Sequence, residues 1–433
     1  MLVAQLAVVL NGAIDTVMAG QISAPDLAAV GIAASIYVTV FVSCMGVLLA
    51  VTPAVAHLYG AGRYAEIGPE VHQAAWLALV LALAGMVALW HPQPFLAFTR
   101  LAPDVEAKVR AYLAVITWSL PPALAFRIFY GFMSGIGRPR AVMAFNLLGL
   151  AAKIPLNAWF MIHLGMGAAG CAASTVAISW FTALAAWIWC ARQPDCVQYA
   201  LFLRPDRPRR PAVAALLRLG LPIGGAFLVD VTAFTFMALF IARLGATMSA
   251  AHQVAANLAV LCFMLPLAIG HAALVLAGHA LGAGDPAGAR HAGVAGLAVG
   301  GTVACVISAG LWLGADALVA IYTSDAEVRR LAASLVAIIA FYHFADAFQA
   351  VAVNVLRGYK KTTVPMMIYA VSLWGLGLGG GYVLGLTDWL GPARGAAGFW
   401  LAATASLVLA GVLVIAYFLR VSQNALAPAA TST

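Results

Sequence analysis

The chain has 433 residues, 64% of them hydrophobic and 9% charged, with a formal net charge of +8. Soluble domains carry about 25% charged residues, so the composition excludes a water-soluble globular protein. The basic residues sit at the ends of apolar segments and not in one patch, which argues against nucleic acid as the reason for the charge.

Apolar runs follow one another from end to end, each able to cross a hydrocarbon core of roughly 30 Å as a helix. Twelve spans are predicted, at 2–20, 29–56, 72–91, 106–133, 141–163, 169–191, 214–242, 249–278, 291–314, 330–356, 363–385 and 396–419. The runs are rich in Ala, Leu and Val and too long for strands, so an all-α integral membrane fold is expected instead of a closed barrel. The first run leads into the second without a small-residue cleavage pattern, so it reads as a span and not as a signal peptide. At 1.5 Å per residue it reaches only about 28 Å. Its counterpart in the repeat described next opens on ALLRLGLP (215–222), which would map before Met1. The expectation is a true start upstream of Met1, or a first helix that begins deeper than its counterpart.

The second half repeats the first. AHLYGAG (56–62) falls on GHALGAG (278–284) and LAAVGIAAS (27–35) on SAAHQVAAN (249–257), both at an offset of 222. PDVEAKVR (103–110) falls on SDAEVRRL (324–331), and Gly137 on Gly358, at 221. A duplicated unit of six spans keeps its orientation, which predicts two six-helix lobes related by a parallel internal repeat, with a substrate cavity between them. The predicted lobes are 1–191 and 214–433, joined by the Pro- and Arg-rich loop 192–213, a linker-like stretch. Even-numbered loops and the C-terminal end carry fourteen basic residues, Arg204 among them, against seven in the odd-numbered loops, Arg100 among them. This asymmetry predicts cytoplasmic termini. The six cysteines have no metal-ligand spacing and read as apolar fillers.

Of fifteen acidic residues, only Asp15, Asp230 and Asp346 lie well inside apolar segments. An ionisable group there is costly to bury and usually marks an ion or proton path, the alternative being a carboxylate hydrogen-bonded within a helix interface. Asp230 and Asp346 fall in the seventh and tenth spans, and in a shared cavity they would titrate as a unit. Tyr342 lies four residues before Asp346, on the same helical face, and Gln253 and Asn257 make a second i, i+4 polar pair on the eighth span. Their oxygens suit Na⁺ as well as a proton path, although such side chains also glue helices together. In the first half, Lys153 stands four residues before Asn157 on the fifth span, and Asp15 is the deep carboxylate available to pair with it. Arg127, midway along the fourth span, has no evident partner. His252, His271 and His343 read as hydrogen-bonded interior residues. Phe and Met residues on the seventh, eighth and tenth spans could line a cavity for flat lipophilic cations.

IDTVMAGQISAPDLAAVGIAAS (14–35), TPAVAHLYGAGR (52–63), VDVTAF (229–234), GATMSAAHQVAAN (245–257) and DAFQAVAVNVLRGYK (346–360) together resemble the multidrug and toxic compound extrusion transporters, in their NorM-like bacterial branch. The resemblance implies twelve helices in two lobes around a central cleft, exporting cationic drugs in exchange for Na⁺ or H⁺. It also implies that Asp15 is the family's first-helix acid, that Asp346 and Tyr342 belong to a tenth-helix cation site, and that Gln253 and Asn257 are its eighth-helix polar residues. Two positions depart from the pattern: Asp230 replaces an expected glutamate, and Lys153 replaces the first asparagine of a pair whose second is Asn157. A fixed ammonium beside Asp15 puts coupling in the first lobe in doubt and shifts it to Asp230 and Asp346, which would be the Na⁺ ligands if Na⁺ is the coupling ion.

The expected protein is therefore a drug/cation antiporter of the bacterial inner membrane, sufficient as a monomer, taking organic cations and no nucleic acid, with no cofactor beyond its coupling ion. A lipid-linked precursor flippase should line its cavity with several cations, and only Arg127 and Lys153 are available. An intramembrane lipid-modifying enzyme would want clustered acids or a nucleophile with its base, and no span carries them. Nothing suggests the ring of identical subunits that a channel filter needs. ATP drive is excluded for want of a phosphate-binding loop.

Overall fold

The computed structural model describes residues 2–96, 102–202 and 206–426. Arg100 and Arg204, which entered the charge count, lie outside them, as does Met1. Among the described residues the chain is helical throughout, without a β-strand. The helix α1 (Leu2–Ile22) is followed by eleven helices long and apolar enough to cross a membrane. These are α2 (Pro25–Gly60), α3 (Tyr64–Trp90), α4 (Pro103–Gly135), α5 (Pro139–His163), α6 (Ala168–Arg192), α7 (Arg210–Ala242), α8 (Ala246–Gly282), α9 (Pro286–Leu313), α10 (Ala326–Gly358), α11 (Thr363–Leu386) and α12 (Ala396–Leu426). Their outer faces carry large aliphatic side chains such as Val306, Val371 and Val412, as a lipid-facing surface requires.

Several crossings are interrupted, and the sequence says where. In α4 a 3₁₀ turn at Thr117–Ser119 precedes Pro121 and Pro122, which lack the N–H that would continue the α ladder. Helix α5 turns π-helical over Ala158–His163 just past Pro155, and α11 does so over Val371–Gly379, a stretch with three glycines. Pro222 and Pro266 lie inside helices that run on through them.

The chain divides into two compact units, Met1–Gly224 and Gly225–Thr433. The division falls inside α7, not in the loop before it. The start of α7 belongs to the first unit, where a Cβ on Gly220 would meet the Val47 carbonyl oxygen. The loop itself is no free linker. Gln73 donates its Nε2 to the Arg207 carbonyl at 3.1 Å and accepts the Arg209 N–H at its Oε1 at 2.7 Å, while Trp76 donates to the Asp206 carbonyl at 2.9 Å. Tyr199, in a 3₁₀ turn, is buried in the first unit's core.

Within the first unit α2, α4 and α6 pack together, and α1 packs on α5. Asp26, at the head of α2, receives Lys108 Nζ of α4 at 2.7 Å and the Ala168 N–H at the start of α6 at 2.9 Å. In the second unit α10 is the central helix, flanked by α8, α9 and α12.

The structure gives a further short repeat its meaning. GAAG opens α6 (167–170) and α12 (395–398). Gly167 and Gly395 take left-handed φ of 54° and 56°, which disfavours any other residue. A Cβ on Gly170 would lie 2.7 Å from the Met161 nitrogen, and one on Gly398 2.7 Å from the Gly385 nitrogen. Each pair of glycines lets the last helix of its lobe lie directly against the backbone of the helix before it.

Candidate functional site

The second unit holds a cavity of about 360 Å³ among α7, α8, α10 and α11. Asp230 reaches it from α7, Tyr342, Asp346 and Gln349 from α10, and Tyr369 from α11. The spacing 342, 346, 349 follows the helical period, which is why one face of α10 presents all three. Asp346 is only 7% exposed. Tyr369 donates its hydroxyl to Asp230 Oδ1 at 2.7 Å. The Tyr342 ring is fixed by edge-on packing against Trp400 (5.2 Å between centroids) and Phe234 (6.4 Å). Phe234, Val260 and Phe263 give the cavity an apolar wall. Two carboxylates, two phenols, an amide and the Thr235 hydroxyl in an apolar shell can take up a cation through oxygen ligands or share protons. They offer no nucleophile with its base.

Asp230, Asp346 and Tyr342, the second-half residues singled out in the sequence, all lie on this one cavity. Gln253 and Asn257 are not among its lining residues; both are exposed on α8. Tyr369, Gln349 and Thr235 were missed. Their signal is weak, since a lone Tyr, Gln or Thr in a span is commonplace. Of the histidines, His252 Nδ1 and His343 Nε2 find no hydrogen-bond partner among the described residues, contrary to expectation. The His252 ring packs instead against Trp400.

The first unit holds a different arrangement at its deep acid. Lys153 Nζ lies 2.8 Å from Asp15 Oδ1, and Asn157 donates its amide to the same oxygen at 2.8 Å. The ammonium also donates to Thr175 Oγ1 at 2.6 Å and Ser174 Oγ at 3.3 Å, and Ser174 in turn donates to Asn157 Oδ1. Lys153 and Asn157 share a face of α5 because they are four residues apart, and α6 supplies the hydroxyls. With Lys153 2% exposed, the ammonium stands where a mobile cation would otherwise meet Asp15.

An oxygen-lined cavity walled by apolar crossing helices is the arrangement of a polytopic membrane transporter. The MatE family model matches residues 1–159 and again 222–383, two matches that begin 221 residues apart (222 − 1). The chain is 41% identical to the probable multidrug resistance protein NorM of Aromatoleum aromaticum, over 97% of this chain and 92% of that one. It is 37% identical to the multidrug resistance protein PmpM of Pseudomonas aeruginosa (95% and 88%) and 35% identical to NorM of Vibrio cholerae (95% and 92%). Among solved structures, MATE in the straight conformation superposes with a TM-score of 0.90 at 17% identity, covering 99% of this chain and 95% of that one. A eukaryotic MATE transporter superposes at 0.88, at 16% identity (98% and 95%). The chain belongs to the MatE family, the multidrug and toxic compound extrusion transporters, in the NorM-like bacterial branch.

Proposed function

We propose that this protein is a multidrug efflux antiporter of the bacterial inner membrane, with both termini cytoplasmic, that exports lipophilic organic cations in exchange for Na⁺ or H⁺. The observation that carries the proposal is the pair Asp230 and Asp346 on one apolar-walled cavity of the second lobe. Its relatives, named as multidrug resistance proteins, support the export of drugs. A coupling ion at Asp346 and Asp230 neutralises the charge that would otherwise hold a cationic drug, so ion and drug favour opposite occupancies of the same site. Antiport needs no more than that difference in affinity. Tyr369 holds Asp230 through its hydroxyl, and Tyr342 on the same cavity offers a further oxygen to the ion. Asp15 takes no part in ion exchange, because Lys153 already neutralises it. One chain contains both lobes, and a monomer suffices.

The test is ethidium movement in proteoliposomes under a Na⁺ gradient or a pH gradient imposed separately. Transport driven by one gradient and lost in Asp346→Asn identifies the ion. A folded protein that moves no organic cation under either gradient overturns the proposal.

A further inference from the structure

The fifth helix of each lobe leaves the α form beside that lobe's deep acid. In α5 the π winding of Ala158–His163 begins directly after Asn157, which holds Asp15. In α11 the π winding of Val371–Gly379 begins two residues after Tyr369, which holds Asp230. The local causes differ, Pro155 in one helix and Gly375, Gly377 and Gly379 in the other. A rare winding that two unrelated sequences reach next to the two acids is a device and not an accident of packing.

The geometry of α11 shows what the winding does. Trp374 donates its indole N–H to the Val229 carbonyl at 3.3 Å, one residue before the acid that Tyr369 holds. Residues five apart on an α-helix point about 140° away from each other, so α winding would turn one of these two rings off α7. A π segment, with i→i+5 bonds such as that from the Gly380 N–H to the Gly375 carbonyl, narrows the angle and lets both reach the same turn of α7. Packing does not hold this register by itself. The inner face of the segment, at Leu373, Gly377 and Leu378, borders a small apolar gap of about 10 Å³ shared with Phe234 and Met237 of α7. Trp374 is 44% exposed, packs edge-on against Phe236 (5.8 Å) and is not among the residues lining the cavity of Asp230 and Asp346.

We infer that Trp374 is a positioning residue for Asp230: its bond to the Val229 carbonyl holds the π winding of α11, and that winding holds the Tyr369 hydroxyl on the carboxylate. Trp374 does not touch the ion and acts through Tyr369. The inference rests on the reading of Asp230 as a coupling group, and adds the part of α11 that sets how readily this acid takes up its ion. With the tether gone, α11 relaxes toward α winding, Tyr369 turns away, and the acid loses the donor that favours its free form.

The measurement is an infrared titration of the purified full chain in detergent and sodium-free buffer, with the carbonyl band of protonated Asp230 identified as the one missing from Asp230→Asn. Tyr369→Phe should lower the proton concentration at half-protonation about tenfold and Trp374→Phe about threefold. The double variant should match Tyr369→Phe alone, because Trp374 has no other route to the acid. Gly375→Ala, whose methyl has open space and favours α winding, should act in the same direction as Trp374→Phe, and it decides the matter if that variant does not fold. A role in packing alone would lower the melting temperature and leave the titration where it is. That result overturns the inference, as do effects of the two single variants that multiply in the double one. No gradient enters the titration, so a protein that exports nothing refutes the antiport proposal without touching this one.

Discussion

Replacing Lys153 by Met removes the ammonium and keeps most of the volume, leaving Asp15 with the neutral donors Asn157 and Cys171. Removing one partner of a buried ion pair costs about 3–5 kcal/mol. The Asp15 side chain is 14% exposed and retains a donor, which puts the cost at the lower end of that range. At about 2–4 °C per kcal/mol for a unit of this size, the first lobe should melt about 6–12 °C lower. Asp15→Asn should destabilise comparably, because it strands the ammonium with only Ser174 and Thr175. The double variant Asp15→Asn/Lys153→Met leaves no buried charge at this site, so it should be more stable than either single variant, with a coupling of at least about 2 kcal/mol. The assay is thermal unfolding of the four proteins in detergent, followed by tryptophan fluorescence. Single-variant losses that simply add, with coupling below about 0.5 kcal/mol, would refute a structural ion pair.

Other expectations follow from the same geometry. Asp346→Asn should abolish gradient-driven ethidium export while leaving a monodisperse monomer on size exclusion; retained export would move the coupling elsewhere. Tyr369→Phe removes the donor that stabilises free Asp230, so the ion concentration for half-maximal export should fall about tenfold, from the usual worth of a hydrogen bond to a charge. An unchanged concentration would mean that Asp230 is not read by the ion. Gly398→Val pushes a side chain into the α11 backbone, and the yield of folded protein should drop sharply. Asp195→Asn breaks an exposed ion pair with Arg138 and should change stability by no more than about 0.5 kcal/mol in a melt.

The crossings were legible because hydrophobicity sustained over twenty residues has few other meanings, and the breaks in α4 and α5 were marked by Pro121 and Pro155. The three deep acids were legible for the same energetic reason. Asp230 and Asp346 could be assigned to one lobe because the repeat puts their helices there, and their common cavity is a matter of which way the side chains face. Tyr369 and Gln349 were not legible, since their meaning comes from which neighbour they face. Gln253 and Asn257 show the converse. Their i, i+4 spacing fixes a shared face of α8 but not the direction of that face, and the cavity is lined instead by Ala259, Val260 and Phe263. The loop before α7 reads as linker-like because proline and arginine describe its solubility, whereas Gln73 and Trp76, far away in sequence, decide where it is anchored.

The twin GAAG starts separate what duplication has had to preserve from what it could let drift. The connection between α5 and α6 is four residues long (164–167), and that between α11 and α12 is nine (387–395), yet both arrive at the same left-handed glycine and the same backbone-to-backbone seat. Length has been free to change on the approach and not at the landing. Residues 387–394 are therefore the natural place to splice in a reporter group or an affinity handle on this chain, and the four residues after them are the place to leave alone.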